Sequence, residues 1–140
     1  MTAPALGNLV PYLFYTDVEA MIDWYSRVFG FVEKARWCDS EGRVGNAEMS
    51  MGDTELWMDA DATIDHSFTR PGGEPHPLWI GVRLADRAAV DAMYDHIVSK
   101  GGEPQGPPVD RPFGIRTFTV ADPEGYTWGF LCPIRRSDLP

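Results

Sequence analysis

Two stretches of the chain carry the same order of apolar and polar positions. Leu13-Phe14-Tyr15-Thr16-Asp17-Val18-Glu19-Ala20-Met21 aligns with Val82-Arg83-Leu84-Ala85-Asp86-Arg87-Ala88-Ala89-Val90, with Asp17 over Asp86. The same alignment puts Tyr25 over Tyr94. Each stretch reads as a short strand, an Asp N-cap that accepts from free N–H groups, an amphipathic helix and a Gly stop. In the first helix Met21, Ile22, Tyr25, Val28 and Phe29 recur at helical spacing before Gly30; in the second, Val90, Met93, Tyr94, Ile97 and Val98 do so before Gly101-Gly102. Strand-like runs at 31–38, 43–51 and 54–59 follow the first helix. A brief strand near 103–105 and runs at 114–121 and 126–132 follow the second. Asp39-Ser40-Glu41-Gly42, Gly52-Asp53 and Asp122-Pro123-Glu124-Gly125 supply turn chemistry between them. Each half is therefore predicted to be βαβββ.

Composition narrows the class. At 140 residues and 15.6 kDa, with 44% hydrophobic residues, the chain fits one domain with a sizeable core. A net charge of −9 and a pI near 4.6 argue against nucleic acid and anionic membrane as partners and favour a cationic ligand. No apolar run approaches the ~20 residues of a membrane span, and the N-terminus lacks a signal-peptide pattern. Cys38 and Cys132 share no metal-like spacing, which predicts free thiols in a cytoplasmic protein. The stretch 60–77, rich in Asp, Gly and Pro, reads as a linker or a lid, and 106–112 as a Pro-stiffened loop.

Leu13-Phe14-Tyr15-Thr16-Asp17 leads into Trp24-Tyr25 and Phe29-Gly30-Phe31. Later come Pro112-Phe113-Gly114-Ile115-Arg116 and Val120-Ala121-Asp122-Pro123-Glu124-Gly125-Tyr126-Thr127-Trp128. By these residues, from roughly 10 to 132, the chain resembles the vicinal oxygen chelate superfamily, in its glyoxalase/bleomycin-resistance/dioxygenase branch. The resemblance implies an α+β fold of two βαβββ modules whose mixed sheets curl around a concave pocket, commonly in a homodimer. It implies one domain over 1–140, with module one at about 8–60, a linker at 61–77 and module two at about 78–133.

Metal enzymes of the superfamily draw His, Gln or Glu ligands from four strand positions. Carried onto this chain, those positions are Val10, Trp57, Trp79 and Gly129, with Trp57 open to a shift toward Glu55 or Leu56. Val, Trp and Gly side chains cannot hold a divalent cation, which needs several N, O or S donors at ~2.0–2.2 Å. No metal or cofactor is therefore expected. His66, His76 and His96 read as surface residues, and Asp59, Asp61, Asp65 and His66 as a solvated acidic loop. Nucleophile-elbow, phosphate-loop and dinucleotide motifs are absent from the sequence, and both cysteines read as packing thiols.

Strand alternation assigns the faces. Val10, Tyr12, Phe14, Asn46, Glu48, Ser50, Glu55 and Trp57 are predicted to face the cavity from the first half. Trp79, Gly81, Arg83, Thr117, Thr119, Thr127 and Gly129 are predicted to do so from the second. Rings beside carboxylates suit a planar or cationic molecule, and Gly81 and Gly129 would leave room for it. Trp57 and Trp79 are expected as opposite walls, with Tyr12 and Phe14 along the floor. Arg83 is expected as a ligand contact or as the ion-pair partner of Glu48 or Glu55. The function expected is non-catalytic binding or sequestration of a small aromatic molecule, cationic or neutral, as antibiotic-resistance members of the superfamily perform. The alternative is a lyase, isomerase or ring-cleaving dioxygenase, metal-dependent or metal-free. In a metal-free enzyme Glu48 or Glu55 would act as acid or base with a raised pKa.

Overall fold

The structure, a computed structural model, describes residues 2–60 and 78–135. The expected linker, with Asp61, Asp65, His66 and His76, lies outside the described residues. The element order is β1 (Tyr12–Tyr15), α1 (Val18–Trp24), β2 (Val32–Cys38), β3 (Val44–Met51), β4 (Thr54–Ala60), β5 (Trp79–Arg83), α2 (Arg87–Ser99), β6 (Val109–Arg111), β7 (Ile115–Ala121) and β8 (Thr127–Pro133). This is βαβββ twice, as the repeat predicts. The chain divides into two compact units, Met1–Ser26 with Gly30–Arg70, and Arg27–Phe29 with Pro71–Pro140.

The two units share one topology. The first holds a four-stranded sheet in the order β1-β4-β3-β2, the second one in the order β5-β8-β7-β6. In each, the strand before the helix pairs in parallel with the last strand of the module, and the remaining pairs are antiparallel. The Asp signals act as read: Asp17 accepts from Ala20 N–H at 3.0 Å and Asp86 from Ala89 N–H at 2.8 Å. Gly30 closes its helix with φ of 78°, where a β-carbon would be strained. Before it, Tyr25–Phe29 forms a π-helical turn that the 3.6-residue pattern does not disclose.

One strand lies elsewhere than expected. The strand placed near 103–105 is Val109–Arg111, and Pro104 makes only an isolated bridge to Val120. The cause is the tight turn from Arg111 to Gly114, where Gly114 N–H reaches Arg111 carbonyl at 3.0 Å and Gly114 has φ of 95°. That hairpin makes the residues just before it the partners of β7, and it converts part of the expected loop 106–112 into strand.

Each sheet buries one face against its helix. In the first unit Leu13, Tyr15, Ala47, Met49, Leu56 and Met58 pack with Val18, Met21, Ile22 and Tyr25, and the Tyr15 and Tyr25 hydroxyls meet at 2.8 Å. In the second, Phe118, Val120, Trp128, Phe130 and Cys132 pack with Val90 and Ile97. Phe29, which clusters with this unit, sets its ring edge-on to Trp128 and Phe130. Full burial of such side chains stabilises by about 1.5–3 kcal/mol each, so these layers dominate each unit's stability. Two packing expectations fail: Cys38 and Val98 are exposed, whereas Cys132 is fully buried.

The Asp-Pro-Glu-Gly turn serves the fold. Asp122 is buried, and its carboxylate accepts from the backbone N–H groups of Glu124 and Tyr126 and from the indole N–H of Trp128. Arg116, on the helix side of β7, joins Asp91 of α2 to Asp110 of β6. Among the described residues no helix is long and apolar enough to cross a membrane.

Candidate functional site

The face of each sheet turned away from its helix carries the residues expected to bind. On the first sheet, alternation against buried Leu13, Tyr15, Leu56 and Met58 leaves Tyr12, Phe14, Glu55, Trp57 and Asp59 on this open face. Tyr12 stacks on Phe14 with ring centres 5.5 Å apart and meets Trp57 edge-on at 5.9 Å. Tyr12 and Trp57 are direct partners across the parallel β1–β4 pair. The three rings thus form one aromatic strip, as the offsets imply.

Two polar groups flank the strip. At one end Asp59, nearly fully buried, accepts from the Tyr12 hydroxyl at 2.7 Å and from the Asn46 amide at 3.0 Å. Burial, reinforced by the hydrogen bond to Asp59, pushes the Tyr12 phenol above its ordinary pKa, so it remains a protonated donor. Asp59 is therefore a strand residue with partners on its own sheet and not part of a solvated loop. At the other end Glu55 accepts from the Lys34 ammonium and, at 2.8 Å, from the Trp57 indole N–H. Lys34 also lies 3.9 Å from Glu48.

This overturns one expectation. Glu55 does not have a raised pKa: the bond from Lys34, then that from Trp57, hold its carboxyl below the ordinary range. A carboxylate so held is a poor proton donor at neutral pH. Within the first unit the ion-pair partner of Glu55, and the cation nearest Glu48, is Lys34. Sequence alternation does not single out Lys34 because strict period two fails there. The β2–β3 register shifts between Glu33 and Ala35, and the extra residue turns its side chain to the open face.

The bond to Trp57 gives a pH prediction. Because the folded pKa of Glu55 is depressed, its contribution is whole at neutral pH. It is lost as pH falls from the ordinary glutamate range through the lowered folded value. Trp57 emission, taken as the difference between the parent and Trp57→Phe, is expected to change over that acid window. In Glu55→Gln the transition should vanish; its persistence would show that another group governs the indole.

On the second sheet Trp79 and Arg83 are exposed at alternate positions of β5, with Gly81 between them. Gly81, Gly129 and Thr119 are direct partners across β5, β8 and β7 and form one row. The Trp79 indole lies along that row. A β-carbon at Gly129 would fall 1.6 Å from indole Cζ2, one at Gly81 would fall 3.0 Å from Cζ3, and Nε1 donates to Thr119 Oγ1 at 3.1 Å. The expected room above Gly81 and Gly129 is therefore occupied by Trp79 itself. The two glycines let a ring lie flat on the backbone, and the threonine fixes its rotation.

The positions corresponding to metal ligands lack free donors suited to a cation. Val10 lies outside the strands, Trp57 and Trp79 use their indole N–H groups as donors to Glu55 and Thr119, and Gly129 has no side chain. This set does not fit a divalent cation. Among the described residues no group of three His, Cys, Asp or Glu could hold one.

The model of the Glyoxalase/Bleomycin resistance protein/Dioxygenase superfamily matches residues 6–130. An uncharacterized protein of Mycobacterium bovis is 26% identical over 139 residues, covering 97% of this chain and 88% of that protein. Among solved structures, TioX from Micromonospora sp. ML1 has a TM-score of 0.74 at 26% identity, covering 91% of this chain and 99% of that one. A glyoxalase/bleomycin resistance protein/dioxygenase from Nocardioides has a TM-score of 0.75 at 18% identity, covering 96% and 88%. The latter shows likeness of fold alone.

Proposed function

Because the chain belongs to the Glyoxalase/Bleomycin resistance protein/Dioxygenase superfamily, whose fold hosts both catalysis and binding, we propose from its site chemistry that it is a binding protein for a small planar aromatic molecule. The observation that carries this reading is the Trp79 indole, laid flat over Gly81 and Gly129 and bonded to Thr119. A ring held in one orientation loses little freedom when a second ring stacks on it, so more of the stacking energy appears as affinity. Trp57, held by Glu55 beside Tyr12, offers the same chemistry on the other sheet. The enzyme reading loses support on two counts. The ligand positions hold Val, Trp and Gly, and Glu55, a candidate acid or base, is tied to Lys34 and Trp57. Antibiotic sequestration and a homodimer are proposed from the family.

A thermal-shift screen against planar aromatic antibiotics and natural products tests the reading. A ligand at a hundredfold excess over its dissociation constant stabilises the fold by about 2.7 kcal/mol and raises the midpoint accordingly. Turnover of a member of the screen, abolished by Glu48→Gln with the fold intact, would overturn it in favour of a metal-free enzyme.

A further inference from the structure

The charge on the second sheet's open face departs from that of the whole chain. The sequence carries a net charge of −9, and the first sheet's open face holds Glu48, Glu55 and Asp59 against Lys34. On the second sheet, the positions that alternate with buried Trp128, Phe130, Phe118 and Val120 carry no carboxylate on any of its four strands. The charged side chains on this face are Arg83 of β5 and Arg111 of β6, both exposed. Among the described residues neither takes part in an ion pair, whereas Arg87 and Arg116, on the helix side, are both paired to carboxylates.

From this we infer that the second sheet receives a planar aromatic anion, its ring stacked on Trp79 and its acidic group on Arg83. The inference rests on the reading of the protein as a binder of planar aromatics and adds the charge of the ligand. Arg83 stands two residues along β5 from the row on which the indole lies, roughly 6.6 Å of strand. A guanidinium on its long stem spans that distance, so an acidic substituent at the edge of a stacked bicyclic ring meets it while the ring covers the indole. The planar guanidinium fits a carboxylate or sulfonate through paired N–H donors. At physiological salt, charges beyond ~8 Å are largely screened, so the local arginine outweighs the acidic balance of the rest of the chain.

The test uses the full chain and three probes matched in shape: 2-naphthoate, its neutral carboxamide and the cationic N-methylquinolinium. Each is titrated by calorimetry at about 0.15 M salt, where that screening holds. The carboxylate is expected to bind about tenfold tighter than the amide, the increment of a charge-assisted hydrogen bond, and the cation weakest. Arg83→Gln should remove the preference for the carboxylate, weakening the carboxylate about tenfold more than the amide. Trp79→Ala should weaken carboxylate and amide alike. Gly129→Ala should displace the indole, shown without any ligand by the shift of its N–H resonance, and should weaken both probes as Trp79→Ala does. Thr119→Val, which leaves the glycines intact, should shift the same resonance. If carboxylate and amide bind equally, or the cation binds best, or Arg83→Gln changes nothing, the inference falls; a continued loss in Trp79→Ala then leaves the binding function standing. If no probe binds and Trp79→Ala has no effect, both fall together.

Discussion

Replacing Asp122 by alanine is expected to destabilise the protein by about 3–4 kcal/mol, the largest loss anticipated from one polar side chain. Its carboxylate accepts two backbone N–H bonds within the Asp-Pro-Glu-Gly turn, at 2.9 and 3.1 Å, and the Trp128 indole bond at 2.9 Å. Bonds to a charged acceptor contribute about 1.5–3 kcal/mol each, and donors stranded in a buried site cost a comparable amount. Backbone relaxation and entering water recover part of that sum. The substitution Asp122→Asn keeps a carbonyl oxygen for the turn bonds but sets an amide N–H against the Trp128 indole N–H, so it should lose roughly half as much. Urea denaturation of the parent and both variants measures the difference. A loss below about 1 kcal/mol in Asp122→Ala, the net worth of a single ordinary bond, would mean that the turn is held by its other bonds.

Trp79→Ala is expected to weaken a planar ligand by more than tenfold while costing the fold little. A stacked aromatic pair contributes roughly 0.5–1.5 kcal/mol beyond its buried area, and about 1.4 kcal/mol is tenfold in affinity. The apolar area withdrawn from water adds further. Stability should change little because the indole is 41% exposed and covers two glycines rather than core side chains. Trp128→Ala makes the contrast: that ring is buried against Phe29, and its removal should cost about 3–5 kcal/mol. Fluorescence titration with denaturation curves for both variants separates a binding tryptophan from a packing one. Equal affinity in Trp79→Ala and the parent would move the ligand to the Tyr12–Phe14–Trp57 strip.

The two tryptophans show how far strand alternation carries. Period two places Trp79 on the open face and Trp128 in the core, and both positions are observed. It names the face and not the neighbour. That Trp79 rests on Gly129 follows from the parallel pairing of β5 with β8, two strands with the whole of α2, β6 and β7 between them in the chain. Read along the sequence, Gly81 and Gly129 look like space for a ligand; in the folded sheet they are space for an indole.

The first sheet repeats the lesson with charge. Glu48, Glu55 and Trp57 lie on the open face by alternation, and so they are found. The state of Glu55 depends on Lys34, which arrives through a register shift in β2 that no periodic reading detects. A carboxylate beside rings suggests a raised pKa; the same carboxylate with an ammonium and an indole N–H has a lowered one.

What the sequence determined by itself is what neighbouring residues settle among themselves. Asp17 and Asp86 cap helices through bonds to residues three positions on, Gly30 and Gly101 end them with positive φ, and alternation separates buried from open faces. The tertiary structure decided what depends on residues far apart in the chain. The strand opposite β7, the Lys34–Glu55–Trp57 cluster, the indole on its glycine row and the exposed Arg83 beside it all depend on strand order and register. Those are fixed by which apolar faces bury best together, a sum over whole sheets that no local window contains.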